Sequence, residues 1–335
     1  MPRNREGSGV RAYLRMGDWV GRHMAAISPV LVLLSVLFPE QLALLKPLVP
    51  ALFALITFQG SLGNDFGTLA EAFRRPAAML AILAVSAIAM PLLAFLLGSL
   101  CFAGNANLVT GVVLEYAVPV AVVSIMWIGM YDGDPSLGLA TLLVSTVLSP
   151  FTIPLTLRLL VGASVEVDVL GMMRSMIVQI AIPALAGTAV NHLGKGWGKR
   201  ELSPVLAPAA KVMLCIVILA NSTTAAPYVR NLTPQYAGAI AFIGVFAAFG
   251  FVLGVIVARL MRQPRDRAAT MTFECGLRNI SAGTVIAAQY LPGEVMLPVT
   301  AGTLFQQILA ALAGKLIERL WPKDDGTGFK ETQPR

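Results

Sequence analysis

The chain has 335 residues, of which 56% are hydrophobic and only 13% charged, and its mean hydropathy is +0.75. A soluble domain carries about 25% charged residues, so this composition excludes a soluble globular protein and indicates a polytopic membrane protein. The net charge of +7 does not indicate nucleic acid as a partner, because the basic residues lie between apolar segments and not on one face or arm.

Hydropathy predicts ten membrane-spanning helices, each close to the ~20 residues that a helix needs to cross a bilayer. The basic segment 1–23 precedes them, and the apolar stretch after it lacks the small-residue cleavage site of a signal peptide, so we expect a retained cytoplasmic tail. A second cytoplasmic tail is expected at 322–335. The spans are predicted at 24–38, 47–64, 76–100, 107–130, 135–157, 169–190, 204–224, 235–258, 268–290 and 295–318.

The distribution of Lys and Arg predicts the orientation. With a cytoplasmic N-terminus, nineteen of the 25 Lys and Arg fall in inner segments and three in outer loops. Cytoplasmic segments carry the excess of positive charge. We therefore expect a multi-pass protein of the cell (inner) membrane with both termini cytoplasmic.

Five spans precede the loop at 158–168 and five follow it. The first half is 24–161 and the second is 169–321. A half with an odd number of spans must insert its copy upside down, so a duplication here gives two inverted five-helix repeats. The fourth span of each half carries charges and helix breakers, which predicts that helices 4 and 9 are discontinuous and line a transporter binding site.

The ninth span holds Glu274 and Arg278 in an otherwise apolar segment, FECGLRNISAG at 273–283. A charge near the bilayer centre costs at least ~2.5–3.5 kcal/mol, and residues that remain there usually mark a substrate or ion pathway. Gly276 weakens the helix beside them. The alternative is that Glu274 and Arg278, neighbours at i,i+4 on a helix, neutralise each other only to permit insertion. Asn279 either holds a crossing backbone or joins helices.

Glu115 lies four residues before Pro119 in the fourth span. If the two interrupted helices cross, Glu115 meets Arg278 or titrates as a buried carboxyl group. The alternative places Glu115 at the outer edge of the span, where it stays solvated. Polar side chains also follow one face of the fifth span, including Thr141 and Ser145, and one face of the tenth, including Thr303 and Gln307. They line a pathway or pack helices together.

Several motifs, in one order, resemble the bile acid:sodium symporter family over about residues 25 to 321. The segment 274–279 is similar to the family's E-x-G-x-x-N signature, and Pro264 and Asp266 resemble the P-x-D before it. The other motifs are VSTVLSPFTIP at 144–154, TLFQQILAALAGKLIERLW at 303–321 and a degraded form of the family's opening at 39–66. The resemblance implies a core and a panel domain, with helices 4 and 9 unwound and crossing at mid-membrane. It also implies a small organic anion as substrate, from bile-acid-like steroids to short carboxylates.

Five positions differ from what the resemblance implies for sodium binding: Ser86, Ile125, Gly138, Leu142 and Arg278. Hard cations need several oxygen ligands, and most of these side chains supply none. The residual sodium ligands would be Glu274 and Ser124. We therefore expect weakened or lost sodium coupling, with Arg278 either replacing a bound cation or binding the substrate. Transport is then passive or coupled to protons through Glu115.

The predicted function is secondary transport of a small organic anion, in an all-α membrane fold and without a cofactor. No HExxH, GxSxG or Walker motif supports an enzyme, and Asp132 and Asp134 share one short turn, unlike the aspartates of intramembrane proteases. Two alternatives stay open: a sodium-coupled symporter of a bile-acid-like or carboxylate substrate, and a membrane sensor or scaffold that does not transport. An ion channel is disfavoured, because no ring of like charges or filter loop is visible.

Overall fold

The computed structural model describes residues 8–67, 70, 73, 76–162, 164–165 and 168–322, and this part of the chain is helical without a β-strand. The helices used below are α1 (Ser8–Leu37), α2 (Pro39–Ser61), α3 (Ala77–Cys101), α4 (Ala106–Ala117), α5 (Ser124–Met130), α6 (Pro135–Leu160), α7 (Val169–Leu193), α8 (Gly198–Arg230), α9 (Pro234–Leu260), α10 (Arg265–Gly276), α11 (Ile280–Tyr290) and α12 (Gly293–Leu320).

Seven of these helices are long and apolar enough to cross a membrane, namely α2, α3, α6, α7, α8, α9 and α12. Helix α1 is bent into two arms, and the number becomes eight if these arms form one span. Both counts refer to the residues that the structure describes. The prediction of an all-α integral membrane fold is confirmed at this level. Each of the two segments predicted as the fourth and ninth spans contains two short helices separated by a break, α4 with α5 and α10 with α11.

The predicted N-terminal tail is helical from Ser8 onward, which the sequence did not indicate. The arms Ala12–Met24 and Ala26–Leu37 of α1 meet at 82°. The first arm packs on α8, where the Tyr13 hydroxyl donates to the Val205 carbonyl at 2.9 Å and Lys211 Nζ donates to the Gly17 carbonyl at 2.9 Å. Residues 1–7 of this tail, and 323–335 of the predicted C-terminal tail, lie outside the described residues.

Two predicted helix starts are wrong by several residues. The second span was placed from residue 47, but α2 begins at Pro39, because proline at the first helical position lacks only an N–H that would have no partner there. The seventh span was placed from residue 204, but α8 begins at Gly198 with a π-helical turn.

The end of α10 is held in place by close contact with α9. A Cβ atom added at Gly276 would lie 2.3 Å from the Phe251 ring, and one added at Gly250 would lie 2.7 Å from the Cys275 carbonyl oxygen. Small residues let membrane helices approach in this way. The helix ends at Gly276, where the sequence had suggested a weakened helix, and Gly276 is in addition a packing residue.

We expect Gly276→Ala to lower the thermal unfolding midpoint of the purified protein in detergent. The added methyl group meets the Phe251 ring, and overpacking costs ~1–3 kcal/mol. The control is Gly129→Ala in α5, where an added Cβ meets nothing within 4 Å. Phe251→Leu combined with Gly276→Ala should restore part of the loss. Equal midpoints for Gly276→Ala and Gly129→Ala would contradict this account.

Candidate functional site

The breaks in the two interrupted helix pairs lie against each other. The first break, 118–123, contains Pro119, which has no N–H for the helical hydrogen bond and crowds the carbonyl four residues earlier. The second break is 277–279. An isolated antiparallel bridge pairs Val120 with Arg278. Two hydrogen bonds form this bridge: the Asn279 N–H donates to the Pro119 carbonyl at 2.9 Å and the Ala121 N–H to the Leu277 carbonyl at 3.2 Å.

Side chains from two other helices bond two further backbone N–H groups of the breaks. The Val120 N–H donates to Ser145 Oγ of α6 at 3.0 Å. The Arg278 N–H donates to Gln306 Oε1 of α12 at 3.2 Å. Unwound backbone inside a membrane needs such partners, because an unsatisfied buried N–H costs several kcal/mol. Ser145 and Gln306 therefore hold the breaks in position.

Glu274 lies beside the first break, with no exposed surface. Its Oε1 accepts a hydrogen bond of 2.6 Å from Ser124 Oγ, also fully buried. Its Oε2 has no hydrogen-bond partner among the described residues. The two residues that the sequence singled out as residual sodium ligands are thus in direct contact.

Arg278 does not neutralise Glu274 through a direct ion pair. Because α10 ends at Gly276, the two are not neighbours on a continuous helix, which corrects the i,i+4 expectation. The guanidinium donates from Nη2 to the Cys275 carbonyl at 3.0 Å, while Nε and Nη1 have no partner among the described residues. It interacts electrostatically with both Glu274 and Glu115, but forms no close ion pair with either.

Glu115 is buried, with 2% of its surface exposed. The alternative that placed it at a solvated outer edge is therefore wrong. It lies near the end of α4, with its carboxyl against the backbone of Gly302 in α12, where an added Cβ would be 2.0 Å from Oε1. Oε2 has no hydrogen-bond partner among the described residues.

A cavity of about 940 Å³ borders the breaks. Its lining is largely apolar, with hydroxyl and amide groups between the apolar side chains. The charged residues among the described lining are Arg22 and Arg278, both positive, while neither Glu274 nor Glu115 contributes to it. Ligand pockets of ~300–1,000 Å³ with apolar walls and a few placed polar groups are usual for small molecules.

The predicted site residues divide into three groups by position. Asn279, Thr303 and Gln307 line the cavity together with Arg278. Asn279 Oδ1 caps α11 by accepting from the Ala282 N–H at 3.2 Å, and Gln307 Oε1 accepts from Trp127 Nε1 at 3.0 Å. Ser124, Ser145, Glu115 and Glu274 lie behind the cavity at the breaks. Thr141 stands apart, because its hydroxyl bonds only the Leu137 carbonyl of its own helix, at 2.8 Å.

The lining residues that sequence reasoning missed include Gln306 and Trp127. Gln306 follows Thr303 by three residues, so the helical spacing of polar residues in α12 could have indicated it. Trp127 carries no such signal, because an aromatic residue in a membrane span is usually a packing residue. Its place beside Gln307 depends on the break that redirects α5.

We expect Ser145→Ala to lower the thermal unfolding midpoint more than Thr141→Val. The first substitution leaves the buried Val120 N–H without its partner, which costs ~1–3 kcal/mol. The second removes a hydroxyl that bonds only within its own helix. Melting curves in the same detergent compare the two variants. Similar midpoints would show that Ser145 does not hold the break.

Comparisons with known proteins point to one family. Residues 49–232 match the model of the sodium bile acid symporter family. The chain is 38% identical over 296 residues to a Bacillus subtilis protein named "Uncharacterized protein YbaS", covering 88% of this chain and 97% of that protein. Over 288 residues it is 20% identical to "Uncharacterized sodium-dependent transporter YocS" of Bacillus subtilis, covering 85% and 86%.

Plant proteins also match over much of the chain. One is "Probable sodium/metabolite cotransporter BASS3, chloroplastic" of Arabidopsis thaliana, 24% identical over 269 residues and 80% of this chain. The chain spans 59% of that protein's length.

Proposed function

The chain belongs to the sodium bile acid symporter family, and we propose that it is a secondary transporter that carries a small organic anion by alternating access. The family is one of membrane transporters, so the protein is a multi-pass membrane transporter and not an enzyme. The finer parts of the proposal are the anionic substrate, the mechanism and the coupling.

The charge of the cavity lining is the observation that carries the choice of an anion. Arg278 is part of the cavity lining at the paired breaks, and two of its guanidinium nitrogens are buried without a partner among the described residues. A guanidinium binds a carboxylate or sulfonate with two parallel hydrogen bonds. The largely apolar walls suit the hydrocarbon part of such a substrate.

We propose a ten-span architecture of two inverted repeats, 24–161 and 169–321. Counting each interrupted pair as one span brings the eight possible long spans to ten. Interrupted helices at the fourth position of both halves support the repeat. The bridge between Val120 and Arg278 supports a crossing of these helices in the membrane interior.

The position of the cavity supports a conformation open to the cytoplasm in the proposed orientation. Its lining takes 21–32 from the half of α1 assigned to the cytoplasmic side, and 300–312 of α12, which extend from the middle of that helix toward its cytoplasmic end. On the opposite side, Gln179 Nε2 of α7 donates to Gln289 Oε1 of α11 at 3.2 Å. Alternating access would break this outer contact as the inner side closes.

Sodium-coupled transport is the second candidate function, because the name of the family and the names of two relatives include sodium. The surroundings of Glu274 argue against it here. A side chain at Gly138 would meet Ile128 at 2.6 Å and Ile125 at 3.2 Å, only 3.6 Å from Glu274 Oε1. Apolar groups therefore occupy the space in which oxygen ligands for sodium would lie.

We propose that Arg278 supplies the positive charge that sodium brings elsewhere in the family. The guanidinium lies in the membrane interior and interacts with Glu274 across a medium that screens charges far less than water does. Its backbone is part of the bridge and its side chain bonds the end of α10. A permanent cation at this position would order the second break without a bound ion.

Uptake into proteoliposomes tests the proposed function. Cholate, taurocholate, acetate and succinate serve as probes, each with a sodium, potassium or pH gradient imposed separately. We expect saturable uptake of at least one probe, at equal rates in sodium and potassium. Uptake that rises steeply and saturably with sodium would support the sodium-coupled symporter instead. Thermal stabilisation by a probe without any uptake would support a sensor.

Arg278→Gln is expected to abolish uptake or to make it weakly dependent on a cation. A charge-assisted hydrogen bond contributes ~1.5–3 kcal/mol, so probe affinity should fall about tenfold or more. Arg278→Lys is the matched control, because it retains the charge but not the planar fork. Undiminished uptake by Arg278→Gln would contradict the role given to this residue.

The proposed orientation predicts that the loop after α3 is extracellular. Cys101 is exposed there and Gly104 has a left-handed backbone, φ +86°, so Ala103→Cys in a Cys101→Ala background is the better reporter. An impermeant maleimide should label it from outside intact cells. Lys199→Cys in the same background should react only after the membrane is opened. The reverse pattern would contradict the orientation.

A further inference from the structure

Three charged groups lie together in the interior of the protein. Glu115 and Arg278 are each 2% exposed, and Glu274 has no exposed surface. If all three are ionised, the group carries one excess negative charge. An uncompensated charge inside a membrane protein is costly, so one further positive charge must bind to this group or one carboxyl must be neutral.

The two carboxyl groups differ in their surroundings. Glu274 accepts a hydrogen bond from Ser124, as a carboxylate does. Oε2 of Glu115 has no hydrogen-bond partner in the described part of the chain, and Oε1 packs against the Gly302 backbone, with the Ile280 side chain close by. An ionised carboxylate without a donor is the more expensive of the two to bury. Glu115 is thus the carboxyl group that its environment favours in the neutral form.

A proton fits Glu115 better than a metal ion does. Sodium needs several oxygen ligands, whereas glycine and isoleucine supply no side-chain oxygen here. Within the described residues, no group of three or more His, Cys, Asp or Glu could hold a metal ion. A proton needs only the carboxyl oxygen itself.

The groups that act on Glu115 are few. Arg278 from the second break interacts with it, and Tyr116 on its own helix does so as well. Glu274 and Cys275, both on α10, interact with the same Arg278 guanidinium. α12 contributes Gly302. Arg278 is therefore the counter-charge that an ionised Glu115 would need.

Arg278 also lines the cavity, so a substrate anion and Glu115 compete for one guanidinium. We propose, on the basis of the transport function above, that Glu115 holds a proton before the anion binds and that the anion engages Arg278 only while Glu115 is protonated, so that anion and proton move together. The anion draws the guanidinium toward the cavity, and a neutral Glu115 needs no counter-charge. Proton and anion then favour each other's binding by the same factor, as linkage requires.

Infrared spectroscopy tests the proton site without any substrate. At pH 7 an exposed carboxyl group is ionised, because its ordinary pKa is about 4.3. We expect the wild-type protein to show the C=O band of a protonated carboxyl group at pH 7, and Glu115→Gln to lack that component. Glu294→Gln is the control, because Glu294 accepts hydrogen bonds from Asn105 and Asn107 and lies apart from the breaks. A spectrum unchanged by Glu115→Gln would overturn the proposal.

Glu115→Asp keeps a carboxyl group at this position and should keep the band. If Glu115→Gln does not fold, the infrared spectrum of the wild-type protein still tests the proposal. Absence of a protonated carboxyl band at pH 7 would then show that the proposal is wrong.

Transport under a pH gradient tests the coupling. Taurocholate and cholate uptake into proteoliposomes is compared with and without an alkaline interior, after subtraction of protein-free vesicles. One coupled proton gives about tenfold accumulation per pH unit, since a pH unit is ~1.36 kcal/mol. For each probe, the ratio of uptake with the alkaline interior to uptake without it should fall to one in Glu115→Gln. The ratio should stay above one in Glu294→Gln. A ratio that persists in Glu115→Gln would overturn the coupling.

The two experiments separate two kinds of failure. If the wild-type protein transports neither probe while the infrared band follows Glu115, the proton site stands and the proposed anion transport of these probes does not. If uptake occurs but the band does not follow Glu115, the anion transport stands and the proton site is refuted.

Discussion

The backbone pairing between Val120 and Arg278 is the constraint on which the rest of the structure depends. A helix that unwinds inside a membrane exposes N–H and C=O groups that lipid cannot bond. Two breaks placed against each other bond part of this backbone mutually, through Asn279 to Pro119 and Ala121 to Leu277. Neither break would be stable without the other, so the two halves of the chain are joined at this point.

The pairing also explains why charged side chains collect there. Breaks in a helix end its hydrogen-bonded ladder and leave room for side chains to turn inward. Arg278 uses that room to bond the Cys275 carbonyl at the end of α10, and Ser124 begins α5 where it reaches Glu274. Groups that would be expensive in a continuous span thus acquire partners from the irregular backbone itself.

The sequence predicted the helical membrane fold and the residues at both breaks, because charge and proline inside apolar segments are conspicuous. It did not predict what those residues contact. The i,i+4 rule paired Glu274 with Arg278, but the end of α10 at Gly276 separates them. The contact between Glu115 and Gly302 joins positions 187 apart, and glycine carries no signal of what it must accommodate. Partners that come from distant helices are set by packing, which periodicity does not encode.

The placement of charge around the cavity has a consequence for selectivity. Arg278 is part of the cavity lining, with its guanidinium nitrogens Nε and Nη1 buried, whereas Glu115 and Glu274 are not part of the lining. A ligand in the cavity therefore meets the positive group at short range and the negative groups only at longer range. Weak screening in the protein interior increases this difference. If Glu115 and Glu274 lined the cavity and Arg278 did not, the cavity would attract cations. Under the proposed function, the preference for an anion thus depends on which of these residues lines the cavity, and not on the net charge of the three residues.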